Sequence, residues 1–129
     1  MGMPGGYSRV TNFDDQMLQA AALAAREVRV GATQYSFVSH LPPEVAAGDV
    51  RIVRAFQQVV AGLNYRLILA IVPAAADEEC VGAFAVTIYN RFGAMSVTEW
   101  GQEIDCSRAM AALQNDQDLV NPMADEFHG

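Results

Sequence analysis

The sequence predicts an α+β domain, an antiparallel sheet of four to five strands wrapped on one long N-terminal helix. Three observations carry this. Gln16 to Val30 contains neither Gly nor Pro and repeats its apolar residues at threes and fours. Beyond it the apolar pattern shifts toward strand-like alternation, in runs separated by turn residues. No second long helix follows, so the strands are expected to join through hairpin turns.

In chain order, residues 1–11 are Gly-rich and read as a mobile or extended arm. Thr11 or Asn12 can cap the helix, Asp14 and Asp15 suit its first turn, and Gly31 stops it. Phe13, Met17, Ala21 or Ala20, Ala24 and Val28 form the apolar stripe, with small alanines that allow close approach to a sheet. Gln34 to Val38 reads as a short strand-like piece, and His40 to Glu44, with Pro42-Pro43, breaks regular structure. Strands are expected over Val50 to Phe56, Leu63 to Val72, Cys80 to Tyr89, and Ala94 to Ile104, the last irregular near Gly101. Turns fall at 59–62 and at Asn90-Arg91-Phe92-Gly93. Strands pairing about a turn near position 93 bring Cys80 opposite Cys106, which favours a disulfide over two free thiols. Ser107 to Gln114 fits two helical turns, and Asn115 to Gly129 is acidic and turn-rich. The expected organisation is one domain over 1–106, with its arm, and an acidic tail over 107–129, a short helix or disordered.

Composition narrows function by exclusion. The net charge is -7 and all eight basic residues are Arg, so no basic surface for a phosphate backbone or anionic lipid is expected. No run approaches the length of a membrane span. Met1 to Gly6 has no positive region leading into an apolar block, so no signal peptide is expected within this chain. No catalytic constellation is legible. His40 sits in a loop beside Pro42 and His128 near the end of the tail, each most simply a solvent-facing residue. No closely spaced ligand pair suggests a metal, no Gly-rich phosphate loop follows a strand, and no cofactor is expected.

The stretch that asks for a partner is Gln58-Val59-Val60-Ala61-Gly62. As a hairpin tip it would hold three apolar residues in water, each worth about 1–2 kcal/mol if a partner buried it. Such a tip reads as a plug for a groove. The competing reading is a strand that runs on through a bulge at Gly62.

Together with Leu63-Asn64-Tyr65-Arg66-Leu67, the preceding helix and the Gly pair ahead of it, this pentapeptide resembles the Gln-x-Val-x-Gly signature of the cystatins. The resemblance covers roughly residues 4–106. It implies reversible, competitive, non-covalent inhibition of papain-like cysteine proteases, with the N-terminal arm and two hairpin loops occluding the active-site cleft. The family's N-terminal glycine corresponds to Gly5 or Gly6, with Met3 and Pro4 before it directed at the non-primed subsites. The first loop corresponds to Gln58, Val59, Val60, Ala61 and Gly62. The second, usually Pro-Trp, falls on Arg91-Phe92, where Phe92 keeps an aromatic surface but Arg91 lacks the fixed φ of Pro. Trp100 falls inside the returning strand, so a core or strand-face role is expected for it. No Asn follows the helix at Gly31-Ala32-Thr33, so legumain inhibition is not expected. The Cys80–Cys106 pair resembles the last disulfide of secreted cystatins at wider spacing. A secreted or lumenal protein is implied, or a cytoplasmic one if the cysteines are free. The implied partner is a papain-like protease, with no nucleic acid or membrane. The implied state is mostly monomeric, with strand-exchanged dimers open to the family. The alternative, favoured by Arg91-Phe92 and the acidic tail, is a non-inhibitory binding module of the same fold.

Overall fold

Asp14, not Thr11 or Asn12, caps the long helix: its Oδ1 accepts the Met17 backbone N–H at 2.8 Å. Helix α1 spans Asp15–Gly31. Because the cap sits later than expected, Phe13 lies ahead of the helix and is exposed, and the buried stripe begins at Met17. Met17, Ala20, Ala21, Ala24 and Val28 are all buried, as the spacing predicts. In this computed structural model residues 6–74 and 79–114 are described.

The sheet has five antiparallel strands in sequence order: β1 Ser8–Val10, β2 Val50–Val60, β3 Gly62–Ile71, β4 Gly82–Arg91 and β5 Ala94–Ile104. The chain is therefore α+β with one long helix, and the fifth strand, β1, is cut from the expected arm. Its pairing of Ser8 with Gln57 and Val10 with Ala55 explains why 8–10 is extended despite the Gly-rich start. Strand β2 runs four residues further than expected, because Gln57 to Val60 all find partners on β3. Strand β5 has the expected bounds, and its irregularity is a bulge: Val86 faces Trp100 while Phe84 faces Glu103, leaving one extra residue on β5.

Gln34 to Val38 is not a strand. The segment makes turns and a 3-10 turn at Val38–His40. Its alternating aromatics, Tyr35 and Phe37, both fold inward instead. They stack at 5.4 Å and meet Phe84 at 5.5 and 5.9 Å. Tyr35 donates its hydroxyl to Gly101 O at 2.5 Å, and burial, with Glu103 nearby, pushes its pKa well up. Trp100 does take a packing role, lying across Gly31 at the end of α1 and tilted against Phe84.

Both faces of the sheet are covered. Helix α1 packs on the face carrying Tyr65, Leu67, Leu69, Phe84, Val86 and Ile88. A second helix, α2 (Cys106–Gln114), buries Ala109 and Ala112 against Ile68, Ala70, Ala83 and Ala85 on the other. Small residues meet small residues here, so helix and sheet approach closely. A Cys80–Cys106 disulfide, with Cα atoms 5.7 Å apart, fixes the start of α2 to the sheet. Arg54 fixes its end, donating to Ala112 O at 3.0 Å from a buried position. Arg54 lies under α2, six positions back along β2 from Val60.

Candidate functional site

The first hairpin turns very tightly. Val60 pairs with Gly62, leaving Ala61 alone at the reversal. Gly62 has φ +110, and a Cβ there would stand 2.5 Å from Asn90 O and 3.2 Å from Arg91 Cα. Glycine is thus required twice, by backbone conformation and by the close passage of β4. The hydroxyl of Tyr89 donates to Ala61 O, and Asn64 donates through Nδ2 to Gln58 Oε1 at 2.9 Å. Gln58 therefore ties the two strands together through its amide just below the turn. Val59 and Val60 stand 69% and 40% exposed, so the strand that carries them does not bury them.

The second hairpin is a two-residue turn. Arg91 pairs with Ala94, and Phe92 and Gly93 both have positive φ, 53 and 99. That conformation matches the twist of the flanking strands, and it is unusual for Phe. Asn90, buried, holds the turn: its Oδ1 accepts the Gly93 N–H at 2.8 Å. Its Nδ2 donates to Tyr65 Oη at 3.0 Å and to Gln16 Oε1 at 2.9 Å. One side chain so joins the second turn, β3 and the first turn of α1. Phe92 is 85% exposed, with Arg91 exposed beside it.

These pieces converge. Val59, Val60, Ala61, Gly62 and Phe92 line one cleft of about 390 Å³, which also reaches Gln16 and Asn90. None of these lining residues is charged. The N-terminal arm arrives at the same end, because β1 runs antiparallel to β2 and Ser8 pairs with Gln57, just short of the tip. Tyr7 lies under the Arg66 guanidinium, 4.2 Å from ring centroid to Cζ, which fixes the direction in which the arm leaves. Burial raises the pKa of the Tyr7 hydroxyl, with Arg66 acting against it. Gly6 is exposed; Pro4 and Gly5 lie outside the described residues.

The sequence-singled residues of the two loops are thus neighbours, while three that position them went unread. Tyr89, Asn90 and Gln16 sit inside patterns that signal only strand, turn and helix. Asn at the start of a Gly-ending turn does hint at Asn90, but its fork to Gln16 and Tyr65 depends on residues distant in sequence. Elsewhere, His40 is exposed, with its imidazole Nδ1 3.3 Å from Ser39 Oγ; His128 lies outside the described residues. Among the described residues no cluster of three or more His, Cys, Asp or Glu is poised for a metal, and no helix is long and apolar enough to cross a membrane.

No family model matches the sequence, and no curated protein matches it. Among solved structures, the chain is similar to a salivary cystatin from the soft tick Ornithodoros moubata, at 22% identity and a TM-score of 0.47, over 80% of this chain and 100% of that one.

Proposed function

We propose that the protein is a reversible, competitive, non-covalent inhibitor of papain-like cysteine proteases, and that its arm and two hairpin tips occlude the active-site cleft together. The observation that carries this reading is the shared cleft of Val59, Val60, Ala61 and Gly62 with Phe92, apolar residues left exposed at one end of the sheet. A monomer has no folding reason to hold Val59 and Phe92 in water, whereas a protease groove would bury them. The Gln58-to-Gly62 signature supplies the class of partner.

The mechanism is steric. The tips enter the groove as a preformed wedge, so little conformational freedom is lost outside the arm. Val60 and Phe92 contribute apolar burial, and the backbone around Gly62 meets polar groups of the groove. Gln58 holds the first turn through Asn64, and Arg91 flanks the second. Met3 and Pro4, ahead of Gly5 or Gly6, are directed at the non-primed subsites, and this arm tunes selectivity among proteases. The catalytic thiol is screened and never bonded. The Cys80–Cys106 disulfide suits a secreted or lumenal compartment.

A second reading is favoured by one observation: Arg91 stands where an inhibitor of this kind usually presents Pro. On that reading the same end of the sheet binds a protein that is not a protease. Titration of papain with the full chain separates the two. Active-site-competitive inhibition at sub-micromolar concentration is the expected result, and no inhibition with the fold intact selects the second reading.

A further inference from the structure

The cleft between the two hairpin tips is lined by carbon almost throughout. Val59, Val60, Leu63 and Phe92 supply its apolar surface, and only two polar side chains reach it, the amides of Gln16 and Asn90. The Asn90 amide is fully committed. A backbone N–H can only donate, so the Gly93 N–H at 2.8 Å fixes Asn90 Oδ1 on the turn and Nδ2 on the opposite side. Both hydrogens of that Nδ2 are then used, one on Tyr65 Oη at 3.0 Å and one on Gln16 Oε1 at 2.9 Å.

This chain of bonds dictates the other amide. Asn90 Nδ2 needs an acceptor, so Gln16 must present Oε1 to it, and the Gln16 Nε2 is turned away. That nitrogen carries two donors, Gln16 is exposed, and among the described residues nothing accepts from Nε2. Water satisfies it in the free protein. A partner that covers the cleft displaces that water, and must then bring an acceptor of its own. The surroundings say which kind. A carboxylate would shed its hydration where no lining residue carries a positive charge, which is unfavourable. A neutral carbonyl needs one donor only, and any stretch of main chain brings one with it.

We infer that Gln16 Nε2 donates to a main-chain carbonyl of the protease that enters between the two tips, an inference that rests on the inhibitory reading of this site. Helix α1 thereby adds a contact of its own to those of the arm and the loops, and the cleft is a subsite that the partner fills. Gln16 acts in two directions, accepting from Asn90 within the protein and donating outward to the protease.

Titration of papain with the full chain and three variants, beside urea unfolding of each, tests this. Gln16→Glu keeps an oxygen for Asn90 Nδ2 but replaces the outward donor with a second acceptor. Its unfolding midpoint should not fall, while its inhibition constant should rise about tenfold or more. Inhibition equal to the parent's overturns the inference, because a residue that only positions Asn90 would lose nothing by this change. Gln19→Glu adds the same charge to α1 at an exposed position outside the cleft and should leave inhibition unchanged. An equal rise there marks a charge effect and also overturns the inference. Gln16→Met removes donor and acceptor together, so midpoint and inhibition should both suffer, and full inhibition by this variant overturns the inference again. A parent chain that does not inhibit papain is a separate result: it removes the inhibitory reading itself, and this contact with it.

Discussion

The two hairpin tips present apolar surface by opposite means. At the first, Val59 and Val60 stand at the end of regular strands, and the turn beyond them is packed down, with Gly62 under Asn90 O and Tyr89 bonded to Ala61. At the second, the exposed residue is itself the turn: Phe92 takes φ 53 and reaches into solvent. The first tip depends on the second for its support, since both Tyr89 and Asn90 lie on β4. The second depends on one buried amide, Asn90, and carries backbone strain of its own. Exposed surface that the fold supports should be costly to disturb structurally; exposed surface that the fold opposes should be costly only to function.

The largest effect expected from this difference is at Gly62. Gly62→Val adds a branched side chain at positive φ, against the β4 backbone. It should destabilise the protein by about 2–4 kcal/mol in urea unfolding and abolish papain inhibition as well. Unchanged stability would show that the two tips do not rest on each other. Val60→Asp comes next. Its side chain is partly exposed, so the unfolding midpoint should hold, while the inhibition constant for papain should rise at least about tenfold. If inhibition is unaffected, the first tip is not the plug.

At the second tip the two readouts should move in opposite directions. Asn accepts the left-handed backbone region far better than Phe, and Asn-Gly is a favoured two-residue hairpin turn. Phe92→Asn should therefore stabilise the fold by about 0.5–1 kcal/mol while weakening inhibition several-fold. A variant that loses stability would mean that Phe92 is held by contacts and is not strained. A variant that keeps full inhibition would remove Phe92 from the binding surface.

What the sequence disclosed follows from how local each feature is. Helix α1 and β5 were legible because their signals, a 3.6 period closed by Gly31 and a run bounded by Gly93 and Asp105, are contained in their own residues. The disulfide was legible because a turn near position 93 brings the far ends of its two strands together; bulges on β5 shift the register, and Cys80 and Cys106 both lie just beyond the paired residues. The cap was misplaced since Thr11, Asn12 and Asp14 are all competent, and only the packing of Met17 chooses among them. Gln34 to Val38 has strand-like alternation, yet its aromatics are used to plug the region around Phe84 and Trp100, a tertiary demand that local pattern does not carry. Strand β1 was hidden for the same reason: three residues in a Gly-rich arm become a strand only because β2 has a free edge beside them. At the candidate site, the exposed residues were named from sequence and their supports were not. Val60 and Phe92 announce themselves by being apolar in turns, whereas Tyr89 and Asn90 look like ordinary strand and turn residues until the hairpins are laid side by side.

The smallest expected effect is the most direct probe of that dependence. Tyr89 belongs to the second hairpin, but its hydroxyl bonds the carbonyl of Ala61 in the first. Tyr89→Phe removes one hydrogen bond from a partly solvated position, so the loss in stability should be only about 0.5 kcal/mol. Its consequence should nevertheless be confined to the other hairpin: amide exchange over 61–63 should quicken, while that over 92–94 stays as it was. Inhibition of papain should weaken by about twofold to threefold, as a less ordered tip loses freedom on binding. Equal change at both tips would mean that Tyr89 acts through β4 as a whole, and no change at 61–63 would mean that the first turn holds its shape unaided.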